Sequence, residues 1–142
     1  MDPKEFAALI KGKSDDQIYD ALAASSMSSP NELESLIDDL ASSMVLAFDP
    51  SGAAGQTAVI QYDITTPAGP YSFQLLVNDG ICTKTRDCDQ TPRVYLALNL
   101  PNFLRLVSGN LNGQQAYFSR ALKVGGDVVF AIQLEQWFKR PG

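Results

Sequence analysis

The chain has 142 residues, of which 45% are hydrophobic and 19% charged, and its formal net charge is −5. This size and balance suit one globular domain with its own core, and no run approaches the ~18–20 apolar residues of a membrane-spanning helix. Because the chain is acidic and has no dense Lys/Arg cluster, nucleic acid is not an expected partner.

The first 28 residues are predicted to be a helical extension of a domain formed by residues 29–142. Short helices are expected over residues 2–12 and 14–25, and Ser14 followed by Gln17 is a capping box for the second of them. The pattern leaves three roles open for the extension: a packed addition to the core, a lid over a site, or a contact between two copies.

The middle of the chain predicts one long helix and a three-stranded meander. The helix starts at Ser29-Pro30 and ends at Asp49–Gly52, because apolar residues recur at helical spacing between them. Two alternating strands follow, over Thr57–Thr66 and Tyr71–Val77. Asn78-Asp79-Gly80 then predicts a tight hairpin into a third strand over Ile81–Cys88, whose charged residues place it at a sheet edge.

The C-terminal third alternates between strands and helices. A strand is predicted over Val94–Leu98, and Asn99-Leu100-Pro101 begins a helix that Gly109 ends. Asn112 with Gln115 is a capping box for a second helix. The last part comprises a short strand at Leu122–Val124, a break at Gly125-Gly126, and a final helix capped by Asp127 and running to Phe138.

The chemistry-bearing residues point away from catalysis. The chain has no histidine, which removes the commonest general base and the commonest metal ligand. Cys82 and Cys88 would lie ~20 Å apart on one strand, beyond the ~7 Å that a disulfide spans, so free thiols are expected. We therefore predict no catalytic residue, no metal site and no cofactor. The first residues lack a secretory pattern, so a cytoplasmic protein is expected.

Charge is distributed unevenly along the chain. Residues 1–92 hold 14 acids and 5 bases, whereas residues 93–142 hold 2 acids and 6 bases. The excess of bases is either ordinary solvated surface or a mildly basic face that contacts an anionic membrane or the phosphate of an acyl-CoA.

The order of elements in the C-terminal half resembles the sterol carrier protein-2 family, and the resemblance extends more weakly back to about Asn31. The matching parts are Val94–Leu98, Pro101–Gly109, Asn112-Gly113, Tyr117-Phe118, Leu122-Lys123-Val124, Gly126 and Val128–Leu134. Two positions depart from the family pattern: Arg120-Ala121 stand where a glycine is common, and Leu100-Pro101-Asn102 where an acidic residue is common.

The resemblance implies an α+β fold in which helices cover one face of a five-stranded, mostly antiparallel mixed sheet and enclose a hydrophobic cavity. It also implies that the cavity binds a lipid. The residues expected to line the cavity are Leu75, Val77, Phe103, Leu106, Val107, Tyr117, Phe118, Phe130, Leu134, Trp137 and Phe138. The polar residues available for its mouth are Arg105, Arg120, Lys123, Gln133 and Gln136.

Three functions are compatible with this reading. The first is non-catalytic binding and transfer of a fatty acid, fatty acyl-CoA, sterol or phospholipid. The second is an interaction module of the same fold with a filled core, in which residues 1–28 and the third strand mediate a homodimer. The third is an accessory module that presents a lipid to an enzyme.

Overall fold

The computed structural model of the chain describes residues 8, 10–24, 29–53, 55–108, 110–111 and 113–138. In chain order its helices are α1 Asp15–Ala24, α2 Pro30–Leu46, α3 Pro50–Ala53, α4 Leu100–Val107, α5 Gly113–Phe118 and α6 Val128–Gln133, with a 3₁₀ turn at Leu134–Trp137. Its strands are β1 Ala58–Thr66, β2 Gly69–Asn78, β3 Ile81–Thr85, β4 Val94–Asn99 and β5 Lys123–Gly126.

The strands form one mixed sheet in the order β3-β2-β1-β4-β5. β1 pairs in parallel with β4, and the other three pairings are antiparallel. Three predictions are thereby confirmed: the α+β fold with its mixed sheet, the meander of the first three strands, and the edge position of the third. The parallel β1–β4 pairing brings the two halves of the chain into one sheet.

Alternation along the strands decides which face of the sheet the core occupies. In β1, the side chains of Ala58, Ile60, Tyr62 and Ile64 are all buried, as the sequence pattern predicts. Inward residues of β2 and β4 continue these rows, because Tyr62 lies opposite Phe73 on one side and Leu96 on the other. Helix α2 buries Leu33, Leu36, Ile37, Leu40 and Ala41 in the same core.

Polar side chains start the helices where the sequence indicates. Ser14 and Gln17 exchange side-chain to backbone hydrogen bonds of 3.2 and 2.9 Å, which is a capping box. Asn99 Oδ1 accepts from the amide of Asn102 at 2.9 Å, and Asp127 Oδ1 accepts from the amide of Phe130 at 2.9 Å. Each bond satisfies an amide that has no partner within its helix.

The hairpin between β2 and β3 also follows the sequence. Asp79 and Gly80 have φ values of 53° and 75°. A type I′ turn requires positive φ at both central positions, and Asp-Gly supplies it at low steric cost.

Several boundaries differ from their predictions for local reasons. β3 ends at Thr85 rather than Cys88, because Thr85 Oγ1 accepts from the amide of Asp87 and turns the chain. Helix α2 ends at Leu46, and a separate short helix, α3, starts after Asp49, whose Oδ1 accepts from the amide of Ser51 at 3.0 Å. The final helix is α6 followed by the 3₁₀ turn, and Phe138 pairs with Phe48 in a β-bridge.

The prediction that Gly125-Gly126 breaks the last strand is wrong, since both glycines belong to β5. Gly125 lies opposite Tyr95, and a Cβ on Gly125 would overlap the Tyr95 ring. Gly126 has a φ of 81°, and a Cβ there would lie 2.6 Å from the carbonyl oxygen of Arg93. The glycines therefore allow close approach within the sheet.

The described part of the N-terminal segment packs on the domain. Ile18 and Leu22 of α1 and the preceding Ile10 are buried in the common core. Arg105 on α4 forms an ion pair of 2.6 Å with Asp15, and its Nη2 donates to the carbonyl of Lys13 at 3.0 Å. Most of the helix predicted over residues 2–12, and the predicted cap Asn112, lie outside the described residues. Among the described helices, none is long and apolar enough to cross a membrane.

Candidate functional site

The centre of the interior is an aromatic cluster beneath β1 and β2. Phe103 of α4 contacts Tyr62 and Phe73 edge-on, with ring centroids 6.0 Å away in both cases. Tyr62 and Phe73 stack on each other at 5.1 Å. Burial raises the pKa of Tyr62 well above that of a free tyrosine, so its hydroxyl stays protonated. The sheet residues Leu75 and Val77 are fully buried in the same core.

A second cluster lies under α6 and the 3₁₀ turn. Phe130 and Trp137 are fully buried and contact edge-on with ring centroids 4.9 Å apart. The guanidinium carbon of Arg93 lies 4.0 Å from the centroid of the Phe130 ring, and Arg93 Nε is 3.2 Å from Asp127 Oδ2. At the C-terminal end of the 3₁₀ turn, the amide of Asp49 donates to the carbonyl of Trp137 at 2.7 Å. These contacts close the C-terminal segment over the sheet.

Most of the predicted cavity lining is therefore in contact with protein. Leu134 is buried, whereas Leu106, Val107 and Phe138 are half-buried against the core. Within the described residues an enclosed cavity is not shown, and the lining role of these side chains stays a prediction.

An open depression lies between α5 and the start of β5. It has a volume of about 440 Å³ and is lined by Tyr117, Phe118, Arg120, Leu122, Lys123 and Val124. Phe118 is 81% exposed, whereas Leu122, which also lines it, is buried. We refer to these six residues as the α5–β5 depression. It brings together two predicted lining residues and two predicted mouth residues.

The turn before β5 has an unusual backbone. Arg120 has a φ of 63°, in the left-handed region that non-glycine residues seldom adopt. Its amide donates to the carbonyl of Tyr117 at 3.2 Å, and the amide of Leu122 donates to the carbonyl of Ala116 at 3.1 Å. These bonds fix the turn and hold Arg120 at the depression.

The other predicted mouth residues lie elsewhere. Arg105 is occupied by Asp15, the carbonyl of Lys13 and Asn102 Oδ1, the last at 2.7 Å. Gln133 is exposed at the end of α6. The side chain of Gln136 lies outside the described residues.

Sequence reasoning missed Leu122 and Val124 as residues of this site. Both belong to the Leu122-Lys123-Val124 alternation, which was interpreted only as a strand. The available signal was that both flank the basic residue Lys123, a few positions after the aromatic pair Tyr117-Phe118.

The thiols and acids do not assemble a reactive centre in the described part of the chain. Both cysteines are free, as predicted, with Cys82 buried and Cys88 exposed. Burial raises the pKa of Cys82 to about 11, and burial together with nearby Asp63, Asp87 and Asp89 raises that of Cys88. Within the described residues, no group of three or more His, Cys, Asp or Glu side chains could hold a metal ion.

Residues 49–139 match the sequence profile of the SCP-2 sterol transfer family. The chain belongs to this family. Family membership supports lipid binding and transfer as the general function. The profile match begins later than Asn31, the position to which the resemblance of the sequence was traced. Comparison with curated protein sequences gives no match.

Solved structures of SCP-2 domains share the fold. The sterol carrier protein 2 like 2 of Aedes aegypti is 22% identical with a TM-score of 0.55, covering 72% of this chain and 92% of that chain. The palmitated form of the same protein gives a TM-score of 0.56 at 22% identity, covering 71% and 88% of the two chains.

A larger protein contains a similar unit. The inverting sec-alkylsulfatase Pisa1 from a Pseudomonas species is 14% identical with a TM-score of 0.59, covering 70% of this chain. The chain spans about a sixth of the sulfatase's length, with 16% of that protein covered.

Proposed function

We propose that the protein is a cytoplasmic, non-catalytic carrier that takes up the acyl chain of a lipid at the α5–β5 depression. The observation that carries the proposal is the depression itself, which is lined both by the exposed Phe118 and by the core residue Leu122. Its volume of about 440 Å³ lies within the 300–1,000 Å³ typical of small-molecule sites. Two free thiols fit a reducing compartment.

The acyl chain is the ligand part that the site favours. Each buried CH₂ contributes about 0.8 kcal/mol, so a C16 chain gains on the order of 10 kcal/mol before ordering costs. The related insect protein of 22% identity was studied in a palmitated form, which supports a fatty acid as the first ligand to test. Fatty acyl-CoA, phospholipid and sterol are the other ligand classes within the proposal.

Uptake into the interior requires packed side chains to move, and α6 is the element we propose to move. It buries Phe130 on one side but leaves Val129 and Ile132 exposed on the other. Besides its own packing, the segment is held at its ends by the Arg93–Asp127 ion pair and the bond from the Asp49 amide to Trp137. Displacement of Phe130 and Trp137 would create the tunnel in which the chain lies.

The test is to identify what the purified protein carries and what it takes up. Native mass spectrometry followed by organic extraction is expected to show a bound fatty acid or phospholipid, and the emptied protein to bind a fluorescent fatty acid. Phe118→Ser is expected to weaken this binding several-fold, because it removes an apolar wall of the depression. The matched control is Leu46→Ser on α2, where the side chain is 86% exposed. Equal effects of the two variants would contradict the proposed location.

The interaction module with a filled core is the second candidate, because Phe103, Phe130 and Trp137 are all fully buried. In that case the emptied protein takes up no lipid and forms a stable homodimer, which light scattering of the full chain detects. The full chain is required because removing residues 1–28 would delete the buried Ile18 and Leu22. An accessory role beside an enzyme, the third alternative from the sequence, would appear as a co-purifying catalytic partner.

A transient contact with an anionic membrane completes the proposal. Arg120 and Lys123 lie beside the exposed Phe118, and α6, with its exposed Val129, contacts β5 as well. Flotation with vesicles is expected to retain the protein when phosphatidylserine is present, and to release it at high salt. Equal retention on zwitterionic vesicles would contradict an electrostatic contact.

A further inference from the structure

The arginines differ in how their charges are satisfied. Four arginines lie within the described residues, and three of them pair with carboxylates: Arg86 with Glu34, Arg93 with Asp127 and Arg105 with Asp15. In the same part of the chain, the guanidinium of Arg120 has no ion pair or hydrogen bond. It is exposed at the α5–β5 depression.

The backbone of Arg120 is a second, independent observation. Its φ of 63° is disfavoured for a side chain with a Cβ, and glycine would adopt it without strain. Asp79, the other described non-glycine residue with positive φ, lies in a hairpin turn that suits aspartate. Arginine has no comparable local preference, so the structure retains it at an energetic cost. Residues held in such sparsely populated backbone regions cluster at active sites, ligand clamps and switch regions.

We infer that Arg120 and Lys123 form a subsite for the anionic headgroup of the lipid whose acyl chain occupies the α5–β5 depression, an inference that rests on the proposed function. The planar guanidinium matches a carboxylate or a phosphate through two parallel hydrogen bonds, and the ammonium of Lys123 supplies a second positive charge. Because both bases line the same depression as Tyr117 and Phe118, the headgroup stays at the surface while the chain enters.

The experiment compares two C16 probes that differ only in the headgroup: palmitate, which is anionic, and hexadecanol, which is uncharged. Displacement of an uncharged fluorescent acyl probe gives both affinities for the full-length protein. Arg120→Gly is expected to weaken palmitate binding by about 5–20-fold and hexadecanol binding by less than about 2-fold. The melting temperature is expected to stay the same or rise, because glycine relieves the strained φ.

Two further variants separate the headgroup contact from general electrostatics. Arg120→Gln and Lys11→Gln make the same change in net charge, but Lys11 is exposed just before α1 and outside the depression. Only Arg120→Gln is expected to weaken palmitate binding. Arg120→Lys keeps the charge without the planar fork and is expected to lose less affinity than Arg120→Gly.

Three outcomes would overturn the inference. Equal losses for palmitate and hexadecanol would mean that Arg120 shapes the depression without recognising the headgroup. Equal losses in Arg120→Gln and Lys11→Gln would mean that net charge alone acts. A variant that binds palmitate normally but no longer floats with anionic vesicles would assign Arg120 to the bilayer. If the wild-type protein binds neither probe, the proposed function fails as well, and that result is distinct from the other three.

Discussion

Phe103 and Phe118 lie on successive short helices, yet Phe103 is fully buried and Phe118 is 81% exposed. Phe103 contacts two aromatic rings of the sheet, whereas the centroid of the Phe118 ring lies 5.7 Å from that of Tyr117 on its own helix. Helix α4 thus contributes to the core, and α5 forms the wall of an open depression. The difference shows that aromatic residues in the same predicted lining can be buried in the core in one region and exposed at an open depression in another.

The largest expected effect is on the stability of the interior. Phe103→Ala should lower the free energy of unfolding by about 3–5 kcal/mol, because it leaves a cavity beside the stacked rings of Tyr62 and Phe73. Phe118→Ala, the matched variant at the depression, should change it by less than about 0.5 kcal/mol. Urea denaturation measures both. Similar losses for the two variants would remove the distinction between the regions.

The glycines of β5 test the sheet edge that borders the depression. Gly126→Ala should cost about 2–4 kcal/mol, because alanine is strained at a φ of 81° and its Cβ would press on the Arg93 carbonyl. Gly125→Ala should cost less, about 1 kcal/mol, because the half-exposed Tyr95 ring can rotate away. Thermal or urea unfolding ranks the two variants by their loss of stability. A larger loss of stability for Gly125→Ala than for Gly126→Ala would contradict the close approach of Gly126 to Arg93.

The cap of α6 should give the protein a measurable dependence on pH. The amide of Phe130, and to a smaller extent Arg93, lowers the pKa of Asp127 below its usual value of 3.8. A lowered folded-state pKa stabilises the protein above about pH 4, and this contribution is lost as the pH falls through the lower value.

Asp127→Asn should therefore melt below the wild type at pH 7, and the gap should narrow towards pH 3. Asp20→Asn on α1 removes the same charge and serves as the control. A gap that stays constant with pH would mean that Asp127 acts without its charge.

The smallest expected effect concerns the reactivity of the two thiols, of which Cys82 is in the interior and Cys88 is at the surface. A maleimide at pH 8 should label Cys88 slowly, because its thiol is exposed but its pKa is raised. Cys82, buried and with a pKa of about 11, should react only after unfolding. In the Cys88→Ser variant Cys82 is the remaining thiol, so mass spectrometry of that variant measures the labelling of Cys82 alone. Rapid labelling of Cys82 in the folded variant would show that the interior opens readily.

Local patterns predicted much of the fold. Alternation along β1 indicated the buried face, and Ser14, Asn99 and Asp127 indicated helix starts because their side chains satisfy nearby amides. Non-local pairing was beyond these patterns, since nothing in Ala58–Thr66 alone specifies a parallel partner in β4. Likewise, the inclusion of Gly125 and Gly126 in β5 follows from their pairing with β4, which the local sequence does not specify.

The candidate site was harder to predict than the fold. Phe103 and Phe118 were both predicted to line the cavity, and the packing of α4 against the sheet is what buries only Phe103. Arg105 and Arg120 were equivalent as candidate mouth residues, but tertiary structure pairs the first with Asp15 and leaves the second at the depression. The left-handed backbone conformation of Arg120 arises from the turn before β5 and could not be predicted, because arginine does not favour that conformation.

The most direct test of the account is a titration of the ¹⁵N-labelled, delipidated protein with palmitate, followed by amide chemical shifts. We expect saturable binding of one palmitate, with the largest shifts at residues 117–124 and further shifts in α6 as Phe130 and Trp137 move. No shifts at saturating palmitate would contradict the carrier function, and large shifts confined to α1 and β3 would contradict the α5–β5 depression as its site.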